Sequence, residues 1–279
     1  MELMLLVVAC YTICGLSDKY SVAKLKMEGN EFTFLMAAPT SIFLIFLLPF
    51  SDTHFIFSWQ AILAIILIAI SKLLEFKLAT VILREMSAFE LKAWLGLTLF
   101  LSYATDIFLG TNVFDVLKIV AIAVTAVGLF MIAKAENGKI NYKKIAIPLI
   151  FYLLAKYGYA IIITAAKEYI SSYFALLFGL ILLAIVLIPF AKPIKLFKTK
   201  FKGSMFVALT KIPNAIGLVT ENMVIAISIT NAAFIQPMIM VTLFFIGILK
   251  KESVKPLNII GGIICIVGIL GFQLIDILL

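Results

Sequence analysis

Leu44–Phe50 reads LIFLLPF, and Ala184–Phe190 reads AIVLIPF, 140 positions further on. The pair belongs to a longer echo. Gly15 and Lys24 have counterparts at Gly158 and Lys167, and Ser87, Leu91 and Trp94 fall opposite Thr230, Phe234 and Pro237, all at an offset of 143. Val116–Met131 matches Pro256–Gly271 at an offset of 140, each a run of Ile, Val and Gly. Solenoid units repeat every 20 to 50 residues or so, far shorter than this. The chain therefore reads as a duplicated half-protein, with halves 1–134 and 135–279. In a membrane chain that pattern points to a transporter whose site lies where the repeats meet.

The composition places the chain in lipid. It is 64% hydrophobic over 279 residues, against about 45–50% apolar for a soluble domain, and its mean hydropathy is +1.18. A helix needs about 20 apolar residues to cross a bilayer. Ten runs qualify: roughly 2–23, 31–50, 57–83, 87–109, 113–133, 145–167, 170–190, 204–228, 230–249 and 256–277. The expected fold is an all-α integral membrane protein of ten transmembrane helices. Five spans per half is an odd number, so the second half enters the membrane upside down relative to the first, as two inverted five-helix repeats. The first run lacks a basic leading segment and an A-x-A cleavage site, and reads as a retained span.

Charge supplies the orientation. A net charge of +8 raises the question of nucleic acid, but the positives are scattered through connectors between apolar runs. They read as topology-setting charge, and no nucleic-acid partner is expected. Lys24, Lys26, Arg84, Lys134, Lys139, Lys143, Lys144, Lys192, Lys195, Lys198, Lys200, Lys202, Lys250, Lys251 and Lys255 follow odd-numbered spans. The opposite face holds Lys118 and Lys167, and the remaining six of the 23 basic residues lie within spans. The count puts the odd connectors in the cytoplasm and both termini outside the cell membrane.

The pattern around Gly15 with a trailing Lys24, its recurrence at Gly158 and Lys167, the Ser87-Ala88-Phe89 opening of span four, the Thr230–Pro237 opening of span nine and the Gly261-Gly262 to Gly268 run of the last span carry a resemblance. With ten spans in two halves, the whole chain resembles the EamA-type branch of the drug/metabolite transporter superfamily. Two positions depart from that pattern: Cys14 stands where a Trp is usual, and Trp94 where span four commonly has a Pro. The resemblance implies both termini in the cytoplasm. The charge count implies the reverse, and the count is followed here.

Ionisable groups inside a bilayer cost roughly 2.5–3.5 kcal/mol on insertion scales and face a cavity or pair with one another. Lys72 and Glu75 sit at i, i+3 and share a face of span three. They are either a charged lining for a substrate or a self-neutralising pair. Lys77 lies on another face and reads as snorkelling to the interface. Tyr152, Lys156 and Tyr159 project from one side of span six, beside Gly158. Lys156 suits a carboxylate or phosphate with the rings against an organic body, and the plainer alternative pairs it with an acid such as Glu75. Lys211, Asn214, Leu218 and Glu221 form a stripe on span eight, where Pro213 and Gly217 suggest a hinge. Tyr11, Cys14 and Asp18 share a face of span one. Glu90 complements the start of span four, and Trp94, one turn on, is a candidate stacking ring. Asn231, Gln236 and Pro237 supply polar groups on span nine. The lysines are not symmetric between halves: Lys72 falls opposite Ala215, and Lys211 opposite Ile68.

The expected substrate-binding set is thus Lys72, Glu75, Trp94, Tyr152, Lys156, Tyr159, Lys211, Asn214, Tyr11 and Asp18. Glu75 and Glu221 are the candidates for proton coupling, since burial moves carboxylate titration toward neutral pH. No HExxH, GxSxG, Walker loop or paired-cysteine site is present in the sequence, and the single histidine, His54, is in a connector. No enzyme, no cofactor and no metal are expected. Cys10, Cys14 and Cys265 read as small packing residues. The leading reading is a secondary carrier for a small zwitterionic or anionic metabolite such as an amino acid. A multidrug or organic-cation exporter, a flippase for a lipid-linked intermediate, and a non-transporting subunit with all charges paired and no cavity are the alternatives. The Gly-rich spans five and ten (Gly128; Gly261, Gly262, Gly268) serve either a dimer surface or internal packing, so the chain is a monomer or a homodimer.

Overall fold

Backbone N–H and C=O groups in hydrocarbon have no water to bond, so an apolar run satisfies them within itself as a helix. The computed structural model describes residues 2–23, 27–86, 88–135, 142–249 and 255–278. Lys24, Lys26, Ser87, Lys139, Lys250 and Lys251, and the side chains of Ala88, Phe89 and Lys143, lie outside these described residues. The helices are α1 (Glu2–Ala23), α2 (Gly29–Leu47, extended by a 3₁₀ turn Leu48–Phe50), α3 (Trp59–Glu85), α4 (Ala88–Leu95), α5 (Thr98–Phe108), α6 (Val116–Ala135), α7 (Tyr142–Ala166), α8 (Ser172–Ala191), α9 (Pro193–Thr199), α10 (Phe201–Leu209), α11 (Lys211–Ile227), α12 (Ile229–Leu249) and α13 (Pro256–Leu278). Among the described residues the extended backbone forms a single isolated bridge, between Phe55 and Ile170.

Among the described residues six segments are long and apolar enough to cross a membrane: Gly29–Phe50, Val116–Lys134, Lys144–Ala166, Ser172–Ala191, Ile229–Ile246 and Pro256–Ile275. The 27-residue α3 carries Lys72, Glu75 and Lys77 in its interior. Large apolar side chains such as Phe46, Phe50, Phe57, Phe108, Ile147 and Phe190 are exposed on the outer surface. A water-soluble monomer rarely exposes apolar area on that scale, and lipid is the solvent that suits it.

Two expected spans are each built from two helices. The run 87–109 breaks at Gly96 and Leu97 between α4 and α5, and the run 204–228 breaks at Thr210 between α10 and α11. The expected polar connector 191–203 carries α9. It is entered through Lys192, whose backbone is left-handed (φ 46°), followed by Pro193 in the first turn. The hinge expected at Pro213 and Gly217 is not where the helix breaks. Pro213 sits in the first turn of α11, where a missing N–H costs no helical bond, and α11 runs unbroken through Gly217.

Gly217 serves a close approach instead: a Cβ there would lie 2.8 Å from the Tyr11 ring. Gly128 does the same between α6 and α13, where a Cβ would lie 2.5 Å from the Cys265 backbone nitrogen. Gly261 and Gly268 face α6 across the same seam, and Gly262 faces Phe244, so these glycines serve internal packing. Gly128→Val is expected to cost about 1–3 kcal/mol, read as a lower unfolding midpoint in detergent. Gly271→Ala, whose Cβ would meet only Ala121 at an ordinary 3.8 Å, should leave the midpoint unchanged.

Helix packing pairs the two halves. α6 lies along α13, α3 along α7, α1 along α11 and α2 along α8, while α3 also meets α8, α2 meets α11, and α5 meets α12. The connectors fall into two mutually contacting groups. In one, Arg84 donates to the Met27 carbonyl, Lys144 pairs with Glu85, and Lys200 pairs with Glu31. In the other, Ile56 N–H donates to the Tyr169 carbonyl and Ser171 N–H to the His54 carbonyl. That second group also holds Asp106, which is almost fully buried. Its carboxylate accepts from the Ser228 hydroxyl (2.6 Å), from Ile229 N–H (3.1 Å), from Thr230 N–H (2.8 Å) and from the Thr111 hydroxyl (3.1 Å). It thereby satisfies the first N–H groups of α12 and places a negative charge at the helix's positive end.

Candidate functional site

The buried charges of the two halves meet at the centre of the bundle. Lys156 on α7 reaches across to both halves, with Nζ 3.1 Å from Glu75 Oε1 on α3 and 3.5 Å from Glu221 Oε1 on α11. Lys72 Nζ donates to Glu75 Oε2 at 2.8 Å. Its ammonium also stands 3.9 Å from the centre of the Tyr159 ring, a distance at which the ring's negative face attracts a cation. The Tyr159 hydroxyl donates to Asn222 Oδ1 (2.7 Å), and the Tyr11 hydroxyl donates to Glu221 Oε2 (2.5 Å). Lys211 is fully buried and donates to Asp18 Oδ1 at 2.8 Å. Buried charges of this kind are tolerated only when paired and hydrogen-bonded.

Two cavities meet at this network. The larger, with an empty volume of about 850 Å³ including its mouth, is lined by Tyr11, Cys14 and Asp18 of α1, Phe32 and Met36 of α2, Lys72, Glu75, Phe76 and Leu83 of α3, Leu91 and Lys92 of α4, Tyr152 and Lys156 of α7, Asn214 and Leu218 of α11 and Gln236 of α12. Ligand sites commonly occupy about 300–1,000 Å³ and combine apolar walls with a few polar groups. Its residues come from the C-terminal parts of α1 and α3 and the N-terminal parts of α2 and α4, all nearest the first connector group. The smaller, about 420 Å³, is lined by Leu95, Thr98, Ser102, Tyr159, Glu221, Ile225 and Ile229 among others, nearest the second group. Lys156 and Gln236 belong to both walls. The ion network is the layer between the two spaces.

No family model and no curated protein matches this chain. What the site can do is read from its own geometry.

Of the residues expected from sequence, Tyr11, Asp18, Lys72, Glu75, Tyr152, Lys156 and Asn214 stand together on the larger cavity's wall. Lys156 both lines the cavity and pairs with Glu75. Tyr159 lies under Lys72 and lines the smaller cavity. Lys211 is a correction: its ammonium is buried against Asp18, behind the wall. Trp94 is the other. Its ring packs edge-on against Phe130, 5.6 Å between centroids, and lines neither cavity. Lys92 faces the cavity, and Trp94 follows it by two residues, about 200° further round the helix. Glu90 lies in the first turn of α4 as expected, and the exposed Lys77 fits an interfacial lysine.

Sequence reading missed Lys92, Phe32, Met36 and Phe76 in the wall, and Asn222 behind it. Lys92 hydrogen-bonds the side-chain carbonyl of Gln236. That pairing spans 144 positions, so no spacing within one helix announces it. The usable signal was the lysine's place inside an apolar run.

Proposed function

We propose that the chain is a secondary carrier of the EamA type in the drug/metabolite transporter superfamily, moving a small anionic or zwitterionic metabolite across the cell membrane by alternating access. In this reading ten helical crossings form two inverted five-helix repeats, 1–134 and 135–279. The contacts among connectors support ten crossings: those that would follow odd spans touch one another, and so do those that would follow even spans. The packing supports the inverted repeat. Exchanging the halves turns α1 against α11 into α7 against α3, and α3 against α8 into α11 against α2. It maps the pairs α2–α8, α5–α12 and α6–α13 onto themselves.

The observation that carries the transport reading is the pair of cavities separated by one ion layer at Lys156. A non-transporting subunit with paired charges has no need of either space. With the Lys-rich connectors in the cytoplasm, the larger cavity lies on the inward side and the smaller one on the outward side. An organic-cation exporter would place a free acid in an aromatic cage, whereas Asp18, Glu75 and Glu221 each already bind a lysine. Glu221 and Glu75 are the groups through which protons would couple to movement. No catalytic step and no cofactor enter this reading.

The test is a thermal-shift screen of the purified protein against amino acids, organic anions, organic cations, nucleosides and phosphorylated sugars. A ligand that binds only the folded state stabilises it by mass action, by about 2.7 kcal/mol at a hundred times Kd, and so raises the midpoint. An anion or zwitterion is expected to do so. A shift with lipophilic cations alone would replace the carrier reading with drug export.

A further inference from the structure

We infer that the carried molecule is an organic monoanion with an apolar body, its carboxylate held by Lys92, and not a zwitterion. This rests on the carrier reading above and narrows it. The charges of the site do not cancel. Among the described residues of the network, Lys72, Lys92, Lys156 and Lys211 stand against Asp18, Glu75 and Glu221. Every carboxylate is bonded to at least one lysine. Three lysines have a carboxylate partner, and the fourth, Lys92, bonds only the neutral amide of Gln236. The excess of one positive charge is therefore localised on a side chain that faces the larger cavity.

Lys92 is partly buried on the wall of the open cavity and, among the described residues, has no counter-charge within bonding distance. A ligand carboxylate at Lys92 supplies one, with the charge-assisted hydrogen bond that makes such contacts strong. An ammonium group finds no free acid, since Asp18, Glu75 and Glu221 are each already bonded to a lysine. Sharing one of them would leave the site's excess positive charge in place, whereas a monoanion cancels it. The remaining wall fits an apolar body: Phe32, Met36, Phe76, Leu83, Leu91 and Leu218 surround the polar floor. A molecule with one carboxylate and a branched or aromatic hydrocarbon end matches both features. A 2-oxo acid does so, and the amino acid of the same skeleton does not.

The experiment compares matched probes on the purified full chain: phenylpyruvate against phenylalanine and phenethylamine, and 4-methyl-2-oxopentanoate against leucine. The 2-oxo acids are expected to raise the unfolding midpoint and the amino acids and amine to leave it in place. Lys92→Gln should weaken 2-oxo acid binding about tenfold or more, while Lys92→Arg retains it. The midpoints of the unliganded variants report their folding separately. Amino acids binding as well as 2-oxo acids, or Lys92→Gln binding 2-oxo acids like the parent, would overturn the inference and leave the carrier reading standing. A response only to phosphorylated sugars would do the same, and one only to nucleosides, which are uncharged, would overturn both. Silence across every class would overturn both.

Discussion

Glu75→Ala is expected to destabilise the protein by roughly 3–5 kcal/mol, the cost of leaving buried charge without its partner. Both oxygens of Glu75 are engaged, one by Lys72 at 2.8 Å and the other by Lys156 at 3.1 Å. Removing the carboxylate leaves Lys72, almost wholly buried, with the Tyr159 ring as its main remaining partner, and leaves Lys156 with Glu221 alone. Neutralising the orphan as well should recover much of the loss, so Glu75→Ala combined with Lys72→Met is expected to be more stable than Glu75→Ala. Such non-additivity is the signature of residues acting in one network. The measurement is reversible unfolding in detergent of both single variants and the double. A loss for Glu75→Ala within about 0.5 kcal/mol of the parent, the range of an ordinary surface change, would contradict the network as described.

The second large effect concerns function. Lys156→Met is expected to reduce transport about 30-fold or more, the equivalent of the 2 kcal/mol or greater cost of truncating one partner of a buried charge pair. Lys156 is the residue that touches a carboxylate of each half and lines both cavities. Any molecule passing from one space to the other crosses its position. Lys211→Met is the control. It removes a lysine that is still more deeply buried, but one paired with Asp18 behind the cavity wall. Its expected effect is on stability, with ligand affinity kept within a few-fold. Equal loss of transport in the two variants at matched membrane levels would show that general damage to the bundle, and not the position between the cavities, governs the outcome.

Much of the architecture was legible because lipid leaves few options. Apolar length located the long helices but not the breaks at Gly96–Leu97 and Thr210 or the short helix α9, and the paired elements LIFLLPF and AIVLIPF lie at corresponding ends of α2 and α8, which pack on one another. Helical spacing also worked for the site wherever the partners share a helix. Lys72 with Glu75, and Tyr152 with Lys156, share faces as the 3.6-residue period requires. What spacing cannot give is the rotation of one helix against another. The expected stripe on α11 is therefore divided between two tasks: Lys211 turns to Asp18, while Glu221 turns to Lys156 and Tyr11. Trp94 and Lys92 were exchanged in importance for the same reason, because the face of α4 that meets the cavity is fixed by packing against α6 and α12. Asp106 was not singled out in the sequence. It is the cap of α12, through bonds that span more than 120 positions.

The most direct test of the central claim is counterflow in proteoliposomes. Vesicles containing the purified protein are loaded with an unlabelled ligand found by thermal shift, and uptake of the labelled ligand from outside is followed without any imposed gradient. A carrier is expected to give a transient accumulation above equilibrium that depends on the internal ligand and is abolished in Lys156→Met. Uptake equal to that of protein-free vesicles, for a ligand that binds, would contradict the account and leave the cavity as a binding site without passage.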